Sequence, residues 1–452
     1  MINRLKSEII GIYQKITKSI WFIPVLISLF FLSLIIFLLI FHSPDEERKI
    51  LQNIPFAGIH NADTARSLIT TILAGTISLI IFSFTMMMFV LNQAASNYSS
   101  KVIGGMISQP SFQVVLGTYI GNIIYTIILL MQIKEGDNFK EIPHLAVFLG
   151  VLFFLICIIL FVIFINKIYD SVQIYSVIKR LHKDTRKKLL KISTHDSLVN
   201  PEHEGMRWFD YVSQKSGYFQ NIANDALMDI ACKQDCIIRS VQPEAFYHIA
   251  GAPLFQTTKG ISDKKILGNI EDGFIFYTGE SIKDNPFYGI RQLSEVAIQA
   301  LSTGINAPGT AIACLDFLGD LLSIRLTQDH TKYVRDKNNL IRIIIPEISL
   351  EELLEICISP IRIYGKKDIN VMISLLNLFK RLSYNDQEFN NQELLTNHTL
   401  AIYEDGIHSL ENTMDKNSLK ATISEMQQMP SGYFKKLFFE PETENIFKEH
   451  KN

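Results

Sequence analysis

Thr71, Gly75, Ser78, Thr85 and Asn92 interrupt an apolar stretch at steps of four, three, seven and seven, with Phe82 and Phe89 on the same helical face. Side chains of this kind can do two different things. As packing residues they let helix backbones approach, their hydroxyls bonding to carbonyls of their own helix at little cost in lipid. As pore-lining residues their hydroxyls would stand in for water, and the ring of Phe82 or Phe89 would form an apolar constriction that gates by dewetting. A single four-helix bundle has too small an interior for a wide pore, so the second use requires a homo-oligomer about a symmetry axis. The sequence is compatible with both.

Other residues invite a chemical reading farther along. Arg291, Asp316 and Asp320 could form one buried charged cluster, because one guanidinium can satisfy two carboxylates spaced a turn apart on another helix. The loop Gly304–Gly309, which contains Asn306, is held by Gly and Pro at the mouth of a helix. Free amides at such a mouth favour an anion, and a purely structural turn is the competing reading. Cys232 and Cys236 stand one turn apart, with no second Cys or His pair at zinc-finger distance, so no metal site is expected. There is no H-E-x-x-H, Walker loop, nucleophile elbow or dinucleotide fingerprint. No catalytic residue and no cofactor are expected, and an enzyme of membrane metabolism is the weakest reading.

The elements that must position these residues begin with four apolar runs, at about 19–41, 68–91, 112–132 and 145–165, none holding a Lys, Arg, Asp or Glu. A helix of that length rises roughly 30 Å, the thickness of a bilayer's hydrocarbon core. The first and fourth runs are greasy all the way round. The second and third carry the small and polar residues and are expected to be the inner pair, with Gly117-x-x-x-Gly121 as a close-packing motif and Asn122, Tyr125 and Thr126 beside it. No ionisable side chain lies within a run, which argues against a proton-coupled carrier.

Charge gives the orientation. Arg4, Lys6, Lys15 and Lys18 precede the first run, Lys101 follows the second, and Lys167 and the dense stretch Lys179–Lys191 follow the fourth. The opposite loops hold Arg48, Lys49, Arg66, Lys134 and Lys140 mixed with acids. Both termini are therefore expected in the cytoplasm, with the runs in a bacterial inner membrane. A formal net charge of −2 over 452 residues gives no field suited to nucleic acid. Five Cys form no disulfide framework. The expected partners are the lipid bilayer and further copies of the chain, with no nucleic acid and with the cytoplasmic ligand unidentified.

The expected fold is an α-helical transmembrane domain of four spans followed by a cytoplasmic α+β domain with a small antiparallel β module. The expected boundaries are a cytoplasmic N-terminal segment (1–18), the membrane domain (19–166), a juxtamembrane basic helix and linker (167–200), the α+β domain (201–430) and a peripheral tail (431–452). The pattern after the fourth span stays helical through Lys191, as one continuous helix. Gly217–Lys233 reads as a helix. Cys236–Val241, Phe246–Ile249, Pro253–Thr257 and Phe274–Thr278 read as strands, with Gln242-Pro243-Glu244 as a turn. Helices fill most of the chain after Gly289.

Four stretches carry a resemblance. ARSLITTILAGTISLIIFSFTMMMFVLNQAAS (Ala65–Ser96), VVLGTYIGNIIY (Val114–Tyr125), SGYFQNIANDAL (Ser216–Leu227) and GIRQLSEVAIQALSTGINAPGTAIACLDFLGD (Gly289–Asp320) resemble the bacterial predicted membrane proteins called DUF2254. The resemblance implies four spans followed by a cytoplasmic α+β domain, and it brings no defined activity. The chain departs from that pattern where Ala223 and Ala307 replace an expected Asp, and where Asp284-Asn285 replaces Gln-Asp. Acidic positions that formed a polar site in relatives would be altered here. Two functional expectations remain: a homo-oligomeric channel for ions or small solutes, with helix two lining the path and a cytoplasmic regulatory domain; or a membrane-anchored sensor or scaffold whose cytoplasmic domain binds a ligand or protein.

Overall fold

The apolar runs form helices, in which each backbone N–H and C=O group finds its partner within the same segment. The computed structural model describes residues 21–41, 61–97, 110–133, 143–192, 206–277, 285–328 and 331–435. Its chain divides into two compact units, Met1–Ser176 and Val177–Asn452. The first contains α1 (Phe22–Ile40), α2 (Ala62–Asn97), α3 (Pro110–Gln132) and α4 (His144–Val172). All four are long and apolar enough to cross a membrane. Helix α2 runs past the expected 68–91 at both ends, and Gly104-Gly105, where the small, polar sequence after it leads one to expect the turn, lies outside the described residues.

Helix α3 alone is the inner helix: 50% of its apolar window is buried, against 17% in each of the others. The expected inner pair is thus corrected, and the cause lies in the glycines. A Cβ on Gly117 would sit 2.8 Å from the Pro24 backbone, and one on Gly121 would sit 2.6 Å from the Phe31 ring. The two glycines of α3 are taken up by α1, while the neighbouring Asn122 reaches α2. Phe31, Tyr125 and Phe153 then stack edge to face, with centroids 4.8–6.4 Å apart.

The expected continuous helix after the fourth span is broken. Gln173 is extended (φ −71, ψ 114) and ends α4, and α5 (Ile174–Ile192) starts afresh. Val177, Ile178, Leu181, Thr185 and Leu189 form the buried side of α5, while Lys179, Lys183 and Lys187 are exposed.

The second unit continues with β1 (Phe209–Val212), β2 (Gly217–Ile222), α6 (Asn224–Gln234), β3 (Ile238–Ser240), β4 (Tyr247–His248), β5 (Pro253–Thr257), α7 (Lys264–Asp272) and β6 (Phe274–Tyr277). Then come α8 (Phe287–Ala300), α9 (Pro308–Leu326), β7 (Thr331–Arg335) and β8 (Ile341–Pro346). The last elements are α10 (Leu350–Leu353), a π turn (Leu354–Ile358), α11 (Ser359–Gly365), α12 (Ile369–Asn385), α13 (Gln392–Ser409) and α14 (Thr413–Gln427). The π turn sits just before Pro360, which has no N–H to continue the α ladder.

The expected antiparallel module is two sheets, one of them mixed. Strands run β1-β5-β3-β8-β7 in the larger sheet and β4-β2-β6 in the smaller. Strands β3 and β8 pair in parallel, Ile238 with Ile343 and Arg239 with Ile344. Gly217–Ile222, expected as the start of a helix, is strand β2, because Tyr218 and Phe219 pair with Tyr277 and Phe276 on β6. One core joins both sheets to α6 through Phe219, Leu227, Ile238, Leu254, Phe274 and Ile343.

Candidate functional site

Helix α2 carries two polar lines. The inward one follows Ile69, Thr76, Ser83 and Val90, all buried at seven-residue steps. Asn122 on α3 donates from Nδ2 to Thr76 Oγ1 at 2.9 Å, Thr126 Oγ1 donates to the Asn122 carbonyl at 2.8 Å, and Tyr125 donates to the Ala146 carbonyl at 2.8 Å. The outward line is the one picked out by spacing. Thr71, Ser78, Thr85 and Asn92 are exposed, and the three hydroxyls donate to the carbonyls of Ser67, Ala74 and Ile81 at 2.8–2.9 Å. Gly75 lies against the Phe154 ring, Phe82 meets Phe161 edge to face, and Phe89 is exposed. Thr76 and Ser83 escape the sequence reading, although they repeat at the same interval of seven.

The charged residues do not gather as expected. Arg291 pairs with Glu295 one turn on, at 3.4 Å. Asp316 takes Arg381 at 2.9 Å, and Asp320 takes His182 at 2.6 Å and Arg186 at 3.1 Å. The two carboxylates therefore answer to other cations, because α9 lies against α12 on one side and α5 on the other. Asn306 is exposed in the left-handed region (φ 46), in a turn closed by Ala307 N–H donating to the Ala300 carbonyl at 2.7 Å. Pro308 then opens α9.

Ala223 and Ala307 are the N-caps of α6 and α9, and neither has a side-chain cap bond. Asn285 Oδ1 accepts from the Phe287 N–H at 2.9 Å, so it caps the start of α8. The positions where the resemblance leads one to expect acids are thus helix starts, where a carboxylate would bond free amides.

The Gly289–Asp320 stretch has a physical task in holding α5. A Cβ on Gly289 would fall 1.7 Å from Thr185 Oγ1, so only glycine lets the two helices cross this closely. His182 stacks on Phe317 at 4.6 Å while its Nε2 meets Asp320. At the far end Gln328 Nε2 donates to the Leu189 carbonyl at 2.9 Å.

Beside that last contact lies a cavity of about 390 Å³. Helix α5 gives it Lys188, Leu189 and Lys191; the end of α9 gives Arg325, Thr327 and Gln328; Lys332 comes from β7. Phe287, Ile290, Ile345 and Leu353 make an apolar wall. Arg325, only 4% exposed, donates to the carbonyls of Ile348 (2.8 Å) and Gln328 (3.2 Å) and lies 3.6 Å from Glu347. Glu244 is partly buried, but its Oε1 is sealed from water with no hydrogen-bond partner, as is Oε1 of Gln328. Burial pushes the Glu244 carboxyl up to about 7, with Lys332 opposing and Glu347 reinforcing the rise. Ala245, the next residue, is held at φ 75 by its N–H bond to the Phe219 carbonyl, a conformation L residues avoid. Among the described residues no three His, Cys, Asp or Glu side chains gather as a metal site.

Uncharacterized proteins of Mycobacterium bovis and Mycobacterium tuberculosis are each 23% identical to this chain over 360 residues, covering 76% of it and 68% of their own length. No solved structure matches the chain. The family model described as "Predicted membrane protein (DUF2254)" matches residues 17–381, across all four apolar helices and most of the second unit. This chain belongs to the DUF2254 family of predicted membrane proteins.

Proposed function

We propose that this membrane protein is an anchored receptor: its second unit takes a small ligand in the cavity beside α5. The observation that carries this reading is that α5, which follows the last apolar helix after one residue, supplies Lys188, Leu189 and Lys191 to the cavity. A ligand there would bear directly on α5. The excess of Lys and Arg before the first span and after the fourth favours a cytoplasmic position for the unit and both termini, in the bacterial inner membrane. The test is thermal unfolding of the full chain in lipid nanodiscs with a small-metabolite extract added. Stabilisation of the wild type, absent in Thr327→Trp, whose ring would cover the exposed cavity wall, supports the reading. No stabilisation, or an equal shift in both, overturns it.

The outward line of α2 favours a second reading, a homo-oligomeric channel for ions or small solutes. Thr71, Ser78, Thr85 and Asn92 are left exposed while the opposite face of the helix is already packed, which suits an axis shared by several copies. Thr71→Cys, Ser78→Cys and Thr85→Cys, in a background without Cys157, would react with a charged thiol reagent faster than Leu73→Cys and Ile80→Cys. Equal silence on both faces would mean a dry surface and remove the channel.

A further inference from the structure

Two features of the cavity differ in sign. Among its lining residues, Glu244 and Gln328 each hold an Oε1 that is buried and meets no donor. Leaving such atoms unmet is costly, so a ligand that brings them hydrogen-bond donors is favoured. Around them lie more cations than acids. Lys188, Lys191, Arg325 and Lys332 line the space with only Glu244 and Glu347, and Glu347 lies against Arg325. An anion would suit the lysines but leave the two oxygens unmet. An amine would suit the oxygens but meet the lysines as a like charge. Inorganic cations are far smaller than about 390 Å³, and they would make no use of the wall formed by Phe287, Ile290, Ile345 and Leu353.

Resting on the receptor reading above, we propose that the cavity binds a free α-amino acid with an apolar side chain, its ammonium on Glu244 and Gln328, its carboxylate on Lys188 and Lys332. The side chain packs on the Phe287–Ile290 wall. Ligand and site then complement each other in charge, hydrogen bonding and polarity.

The pH dependence of binding reports the contact at Glu244. Burial holds its carboxyl up to about 7, and an ammonium favours the ionised form. The other charged groups lining the space are Lys188, Lys191, Arg325, Lys332 and Glu347. Affinity therefore rises from about pH 6 to about pH 8 in the wild type, and Glu244→Gln flattens that rise.

The experiment is titration calorimetry on the full chain in nanodiscs with L-leucine and L-phenylalanine, beside isocaproate, which lacks the amine, and isoamylamine, which lacks the carboxylate. Saturable binding of at least one amino acid is expected, with both analogues weaker by roughly tenfold or more. Glu244→Gln and, as a second variant should the first fail to fold, Gln328→Leu are each expected to weaken binding by roughly tenfold. Binding of neither amino acid, equal binding of either analogue, or unchanged binding in the variants overturns the proposal. Should the metabolite extract still stabilise the wild type but not Thr327→Trp, the receptor reading stands and only the ligand class falls.

Discussion

The hydroxyls of the apolar unit and the oxygens of the cavity solve the same problem in opposite ways. On α2 the hydroxyls of Thr71, Thr76, Ser78 and Thr85 each donate to a carbonyl four residues back, so the polar groups are tied down by their own helix. In the second unit Glu244 and Gln328 keep an oxygen sealed and unmet. The first arrangement is closed within one helix. Buried oxygens without a donor occur in both units, Asn122 Oδ1 among them, and what sets the cavity apart is that Glu244 and Gln328 stand beside lysines and an apolar wall around one space.

The largest test of this contrast lies in Glu244. Its carboxyl is raised from an ordinary 4.5 to about 7, so the folded chain holds the proton more tightly than the unfolded one. This group's contribution to stability is greatest below about pH 4.5, falls as pH rises, and levels off above about pH 7. Glu244→Gln removes the penalty. In the ligand-free chain at about pH 8 it should raise unfolding stability by up to about 3 kcal/mol relative to wild type, with the gain vanishing near pH 4. A gain of the same size at both pH values would mean that the carboxyl is not the strained group.

Gly289→Ala comes next. The new methyl collides with Thr185, and overpacking of this kind costs about 1–3 kcal/mol. Chemical denaturation of the full chain should show that loss, and hydrogen exchange should show it concentrated in α5. Unchanged protection of α5 would mean that the Gly289–Thr185 crossing does not hold the cavity wall.

Ala307→Asp should work in the other direction. It restores a cap at the start of α9 and should add about 1 kcal/mol without changing ligand binding. If it instead created a new anion-sensitive or metal-sensitive transition, the acidic position would be a site in its own right. The smallest effect is expected from Asn122→Leu, which removes the α2–α3 hydrogen bond and should cost about 0.6 kcal/mol. A much larger loss would show that the inward polar line of α2 is not merely packing.

The four apolar helices were legible because run length alone measures a bilayer, and Gly117 and Gly121 because small residues at that spacing invite a close neighbour. Which neighbour was not legible, since the groove fits the Pro24–Phe31 face of α1 as readily as α2. Strand β8, with Ile343, Ile344 and Ile345 in a row, has no alternation to separate it from buried helix. The break at Gln173 carries no Gly or Pro to announce it. The cavity was the least visible feature. Lys188 and Lys191 read as topology marks and Glu244 as part of a turn, while Gln328 carries no signal of its own; only the packing of α5, α9, β7 and β8 puts them around one space.

The most direct measurement is hydrogen exchange over α5, Ile174–Ile192, in the full chain with and without the small-metabolite extract, for wild type and Thr327→Trp. A receptor whose cavity bears on α5 should show slower exchange at Leu189–Lys191 in the wild type alone. Identical exchange with and without extract, or the same slowing in Thr327→Trp, would contradict the assignment of the cavity as the working site of this membrane protein.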